Sequence, residues 1–182
     1  MSKRKTIKVC TYKPQSWTDQ DKMLFVIHGG GRNADDYLDT CVELADEHNL
    51  FIIAPKFENK FSRYTTNDYQ EGHLFTFFGT KNPKDEWAFS VVENVFDHIK
   101  TVNTISNTTY DIFGHSAGGQ FIHRMVMLMP EARIGTAIAA NAGFYTLPGD
   151  NLKYPYGVDN TGINLASELP KIYNPKLVVL LG

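Results

Sequence analysis

The feature that most constrains the fold is an alternation of short, continuous apolar runs with segments of helical period. Residues 23–27 (Met-Leu-Phe-Val-Ile), 50–54 (Leu-Phe-Ile-Ile-Ala) and 110–113 (Tyr-Asp-Ile-Phe) are each bounded by turn or polar residues. Runs of that length without polar alternation read as strands covered on both faces, which is the condition of a parallel sheet. Between them Tyr37, Leu38, Cys41, Val42 and Ala45 follow helical spacing behind a cap candidate at Asn33. Trp87, Val91, Val92, Val95, Phe96 and Ile99 do the same behind Asp85 and Glu86. Each set predicts one helix packed on the sheet. Further strands are expected at 136–140 and 176–181, with 6–11 pairing antiparallel at an edge. The chain therefore reads as α/β, and its 182 residues fit a single domain over 1–182. Residues 56–83 show no clear period and are too long for a routine connection, so a functional loop or small lid is expected there.

Composition narrows the function classes. A formal net charge of −2 gives no electrostatic footprint for nucleic acid. The basic opening Met-Ser-Lys-Arg-Lys is followed by alternating polar and apolar residues rather than an apolar signal core. No apolar run approaches membrane-spanning length, so no membrane partner is expected. Cys10 and Cys41 are too sparse for a disulfide framework and fit free thiols in a reducing cytoplasm, the expected location. Asn107-Thr108-Thr109 matches a glycosylation sequon, but such short patterns arise by chance.

The chemistry concentrates at Gly114-His115-Ser116-Ala117-Gly118-Gly119. It contains G-x-S-x-G, with an apolar strand immediately before it and an apolar helical segment, 120–129, immediately after. That context is what a nucleophile elbow requires: a sharp strand-to-helix turn holding a strained serine, Ser116, at the sheet's carboxyl edge. Gly114 and Gly118 keep the turn free of side chains, and the helix amino terminus behind it favours developing negative charge. A second signal, His28-Gly29-Gly30-Gly31, follows the strand 23–27 directly. Its glycines let backbone N–H groups approach a substrate, so the N–H of Ala117 plus that of Gly30 or Gly31 form the expected oxyanion hole. The run lacks the Lys-Ser/Thr ending of a P-loop and the G-x-G-x-x-G spacing of a dinucleotide site, so no cofactor is expected. His28 reads as a hydrogen-bonding organiser of the loop, and no metal site is expected.

With these motifs in place, residues 28–33 and 114–124 resemble the α/β-hydrolase esterases related to polyhydroxybutyrate depolymerases. Asp36-Tyr37, residues 43–46, the strand 51–55, Trp87-Ala88-Phe89 and residues 139–148 follow that group in order and spacing. The resemblance implies the α/β-hydrolase fold and a serine hydrolase of carboxylic esters, with a small-molecule or oligomeric ester as substrate. It also implies a triad in the order serine, acid, histidine.

Against that pattern, residues 175–182 look like the strand that precedes the acid, so the chain is expected to stop before the acid and histidine. His123 is the one histidine after Ser116; seven residues along the same helix, roughly 10 Å, puts it out of reach. His115 should point away from the turn, and His48 and His98 lie on helical segments. His73, in the long loop, is the least implausible substitute base, although nothing in the sequence orients it. Asp150 and Asp159 read as solvated loop carboxylates. Tyr64, Tyr69, Phe75, Phe77, Phe78, Tyr145, Tyr154 and Tyr156 fit either a substrate cleft or packing beneath long loops. The expectation is an esterase whose base is missing from these residues; the alternative is a non-catalytic binding protein on the same scaffold. An uncovered apolar strand at 177–181 would favour self-association.

Overall fold

The computed structural model describes residues 6–59, 64–149, 151–164, 167 and 176–182. Six strands form one sheet in the order β1-β3-β2-β4-β5-β6. They are β1 (Lys8–Tyr12), β2 (Met23–Ile27), β3 (Phe51–Lys56), β4 (Tyr110–His115), β5 (Ile134–Ala140) and β6 (Lys176–Leu180). β1 pairs antiparallel with β3 at the edge, as its alternating pattern predicted, and every other pairing is parallel.

Alternate residues of the central strands feed two cores. Met23, Phe25, Ile27, Phe51, Ile53 and Ile112 join the larger one, with α4 (Ala88–Asn103) and α5 (Ala117–Leu128) supplying Phe89, Val92, Phe96, Phe121 and Met125. Val26 and Ile52 face the other way onto Ala45, Leu38 and Tyr37. These come from α1 (Ala34–Asp39) and α2 (Val42–His48). The spacing from Tyr37 to Ala45 predicted one helix; the structure has two. The chain tightens at the junction, where Cys41 N–H donates to Leu38 O at 2.9 Å and the Thr40 hydroxyl to Tyr37 O at 2.9 Å. Threonine competing for backbone acceptors in this way ends a helix that apolar periodicity alone would continue.

The segment 56–83, where it is described, packs into the body. Phe57, Tyr64, Tyr69 and Leu74 are buried in the larger core. Its short helix α3 (Thr66–Gln70) begins with a capping box between Thr65 and Asp68. Residues 75–81 then form a tight hairpin, bridged at Phe75 and Lys81, whose tip carries the fully exposed Phe77 and Phe78. Cys10 and Cys41 are free thiols. The Asn107 amide of the sequon donates to Asp21 O at 2.9 Å. No helix among the described residues is long and apolar enough to cross a membrane.

The topology decides where a site can form. β3 lies on one side of β2 and β4 on the other, so the connections leaving β2 and β4 diverge at their carboxyl ends. Such a reversal opens a crevice at the sheet's carboxyl edge, and it is there that doubly wound sheets bind ligands. Residues 28–31 and Ser116 are the segments that leave β2 and β4 at that point.

Candidate active site

Ser116 sits between β4 and α5 with φ 57° and ψ −116°. A non-glycine residue held there stores about 1–3 kcal/mol of strain, which the surroundings must over-determine. They do so through close backbone approach. The Ser116 N–H donates to Ala140 O at 2.9 Å, tying the turn to β5. A Cβ on Gly114 would lie 2.6 Å from the Gly118 carbonyl, and one on Gly118 would lie 2.2 Å from Ile27 O. Only glycine at both positions lets the first turn of α5 seat against the ends of β4 and β2. Ser116 itself remains partly exposed, while Ala117 directly behind it is buried at the helix start.

The loop after β2 faces this turn. His28 is fully buried and is held by backbone groups: its Nε2 accepts from Phe57 N–H at 3.0 Å, and its Nδ1–H donates to Gly29 O at 2.9 Å. Burial pushes its pKa down to about 4, so it is neutral at physiological pH and joins the loop to Phe57. The Tyr69 hydroxyl donates to the His28 carbonyl. Arg32, at φ 59°, lays its guanidinium over the Tyr69 ring at 4.1 Å and donates to Phe57 O at 2.8 Å. Gly29 is buried, and a Cβ on it would stand 3.7 Å from Ser116 Cβ. Gly30 and Gly31 are exposed, and a Cβ on Gly30 would meet nothing within 4 Å. The structure thus brings His28, Gly29, Gly30 and Gly31 to the same edge as Gly114, His115, Ser116, Ala117 and Gly118.

The six histidines are all described, and none hydrogen-bonds Ser116. His123 is buried in α5, with Nδ1 on Gly119 O at 2.9 Å and Nε2 accepting from Thr146 N–H at 2.9 Å. Burial lowers its pKa to about 4. His115 turns aside, between the Tyr37 hydroxyl at 3.3 Å and the Asn141 amide at 3.4 Å. His48 and His98 lie exposed on α2 and α4. His73 corrects one premise of the sequence reading, because a carboxylate does orient it: Asp68 Oδ1 lies 2.6 Å from its Nδ1. A five-residue separation spanning a helix end gave no sequence signal for that pair. Asp159 begins a short 3₁₀ turn, and Asp150 falls outside the described residues.

The sequence reading also missed Arg32 and Arg124. Arg124 is fully buried in α5, donating to Thr146 Oγ1 at 2.8 Å and Gln70 O at 2.8 Å, with its guanidinium over Phe144 at 4.5 Å. It ties the helix behind Ser116 to the loop after β5 and to the end of α3. The aromatic residues divide between the two readings offered for them. Tyr64 and Tyr69 are core, Tyr145 stacks against His123 and Tyr154 against Phe75, while Phe77, Phe78 and Tyr156 are exposed.

No protein-family model matches the sequence, and no curated protein does. Solved structures do. Poly(aspartic acid) hydrolase-1 from Sphingomonas sp. KT-1 is 40% identical with a TM-score of 0.90, over 97% of this chain and 66% of that one. The poly(3-hydroxybutyrate) depolymerase from Bordetella parapertussis is 33% identical with a TM-score of 0.88, over 97% of this chain and 61% of that one. The fluorophosphonate-binding serine hydrolase F of Staphylococcus aureus, 14% identical with a TM-score of 0.57, shares the fold. The chain spans less than two thirds of the length of the first two. With the mostly parallel sheet and the order of its elements, these likenesses place the chain in the α/β-hydrolase fold, as a relative of the polyhydroxybutyrate depolymerases.

Proposed function

We propose that this chain carries the nucleophile and oxyanion hole of a serine hydrolase acting on carboxylic esters. The observation that carries the reading is Ser116 at φ 57°, strained at the start of α5 and facing the glycine loop. In the reaction, Ser116 Oγ attacks the acyl carbon and the carbonyl π pair moves onto oxygen. The N–H of Ala117 and that of Gly30 or Gly31 hold the resulting oxyanion, which lowers the barrier by about 3 kcal/mol per donor. Collapse expels the alcohol, and water then releases the acid from the acyl-serine. The chemistry calls for no cofactor.

The hydroxyl proton needs a base. No histidine here hydrogen-bonds Ser116, so we place the acid and base outside these 182 residues. The greater length of the two polymer hydrolases supports that reading. One of them is named for a polyester and the other for poly(aspartic acid), so an oligomeric acyl substrate is the proposed class, with the ester preferred. Free Cys10 and Cys41 support a cytoplasmic setting.

The competing reading is a binding protein that keeps the scaffold without catalysis. Hydrolysis of p-nitrophenyl acetate by the full-length protein and by Ser116→Ala separates the two. The esterase reading expects turnover that the substitution abolishes. Turnover that persists in Ser116→Ala, or its absence in both proteins, contradicts it.

A further inference from the structure

The hydroxyl of Tyr37 stands beside the nucleophile with a proton to give. Tyr37 leaves α1 toward the sheet, and its Oη would lie 2.9 Å from a Cβ on Gly29; that same Cβ would lie 3.7 Å from Ser116 Cβ. The missing side chain of Gly29 therefore leaves room where the phenol and the serine both approach. A methyl group there would fill it.

The direction of the phenol proton follows from a chain of three side chains. Asn141, at the end of β5, places Nδ2 3.4 Å from His115 Nε2. An amide nitrogen only donates, so Nε2 accepts there, which leaves the ring proton on Nδ1. Nδ1 lies 3.3 Å from Tyr37 Oη and donates to it. Tyr37 Oη makes no other hydrogen bond among the described residues, so its own O–H is left unspent. Donation along Asn141, His115 and Tyr37 runs in one direction and polarises the last hydroxyl in the chain.

From this we infer that Tyr37 is a further hydrogen-bond donor of the acyl site, adding its O–H to the backbone N–H groups where the carbonyl oxygen becomes negative. The inference rests on Ser116 being the nucleophile. The role of the residue before the nucleophile follows as well: His115 does not take the serine proton but fixes, through its tautomer, which way the Tyr37 proton points. The carboxyl ends of β2, β4 and β5 then all contribute to one polar site, through the glycine loop, the elbow and Asn141.

The test is Tyr37→Phe in the full-length protein, with Ser116→Ala alongside. A donor that acts in the transition state should show in kcat: p-nitrophenyl acetate turnover should fall about 10- to 100-fold with KM changed less than about threefold. Phenylboronic acid, whose tetrahedral serine adduct mimics the oxyanion, should weaken by a similar factor. The thermal midpoint should change little, since the ring is retained. Gly29→Ala, whose Cβ would stand 2.9 Å from Tyr37 Oη and push the phenol aside, should lower kcat in the same way. If Ser116→Ala abolishes turnover while Tyr37→Phe leaves kcat and boronate affinity within about twofold, the inference fails and the nucleophile reading stands. A loss confined to KM overturns it too, because ground-state binding alone would then explain the residue. Turnover surviving in Ser116→Ala removes both.

Discussion

Two buried histidines make this fold sensitive to mild acid. His28 and His123 are both packed away from water, and burial lowers each from the ordinary 6.5 to about 4. The unfolded chain therefore binds two more protons than the native state across the interval between those values. Protonation favours unfolding there, so the contribution is fully present above about pH 6.5 and is lost as pH falls toward about 4. Between about pH 6.5 and about pH 4.5 the loss is about 2 kcal/mol per histidine, or about 4 kcal/mol together, against a total stability of about 5–15 kcal/mol. Glu71, whose carboxyl burial raises, opposes part of this trend. The carboxylates held low by hydrogen bonds, such as Asp19, Asp21 and Asp97, titrate below the interval. Urea unfolding at several pH values measures the slope. Replacing both histidines with glutamine should flatten it, while lowering stability at neutral pH through the lost contacts to Phe57 and Thr146. A double variant with the parent slope would refute the reasoning, as would a native-state NMR titration with both rings near 6.5.

Gly30→Val should leave the fold intact, because the added side chain meets only open space, yet lower kcat on short esters about tenfold or more by intruding on the oxyanion site; unchanged turnover would place the donors elsewhere. Gly118→Ala should instead destabilise the elbow, since its Cβ would press on Ile27 O at 2.2 Å, and a thermal midpoint equal to the parent's would contradict that. We also propose that a preparation of residues 1–182 self-associates through β6, where Val179 and Leu180 are 43 and 48% exposed and the following Leu181 is 78% exposed. Light scattering should show assembly that Leu180→Lys reduces, and a monomer at high concentration would count against it.

Much of this architecture was legible in the sequence because burial on both faces leaves continuous apolar runs. Residues 23–27 and 136–140 carry that signature and became β2 and most of β5, and 6–11, with its polar alternation, became the antiparallel edge. The glycines of the elbow were readable for a related reason: close backbone approach at Gly114 and Gly118 tolerates no other residue. What stayed hidden were the contacts made by polar side chains across long sequence separations. Tyr37 has the spacing of a core residue, and nothing local says that its hydroxyl reaches His115 across 78 positions. Arg32 and Arg124 look like surface cations until the rings of Tyr69 and Phe144 are found beneath them. The segment 56–83 lacked a period because Phe57, Tyr64, Tyr69 and Leu74 enter the core singly, between turns, rather than from one face of a regular element.

The most direct test of Ser116 is covalent. A fluorophosphonate probe reacts at an activated serine and stays there, so peptide mapping of the labelled full-length protein reads the nucleophile without reference to any substrate. The account predicts a single modified peptide containing Ser116, lost in Ser116→Ala and slowed in Tyr37→Phe. Modification at another serine, or labelling that survives in Ser116→Ala, would contradict it.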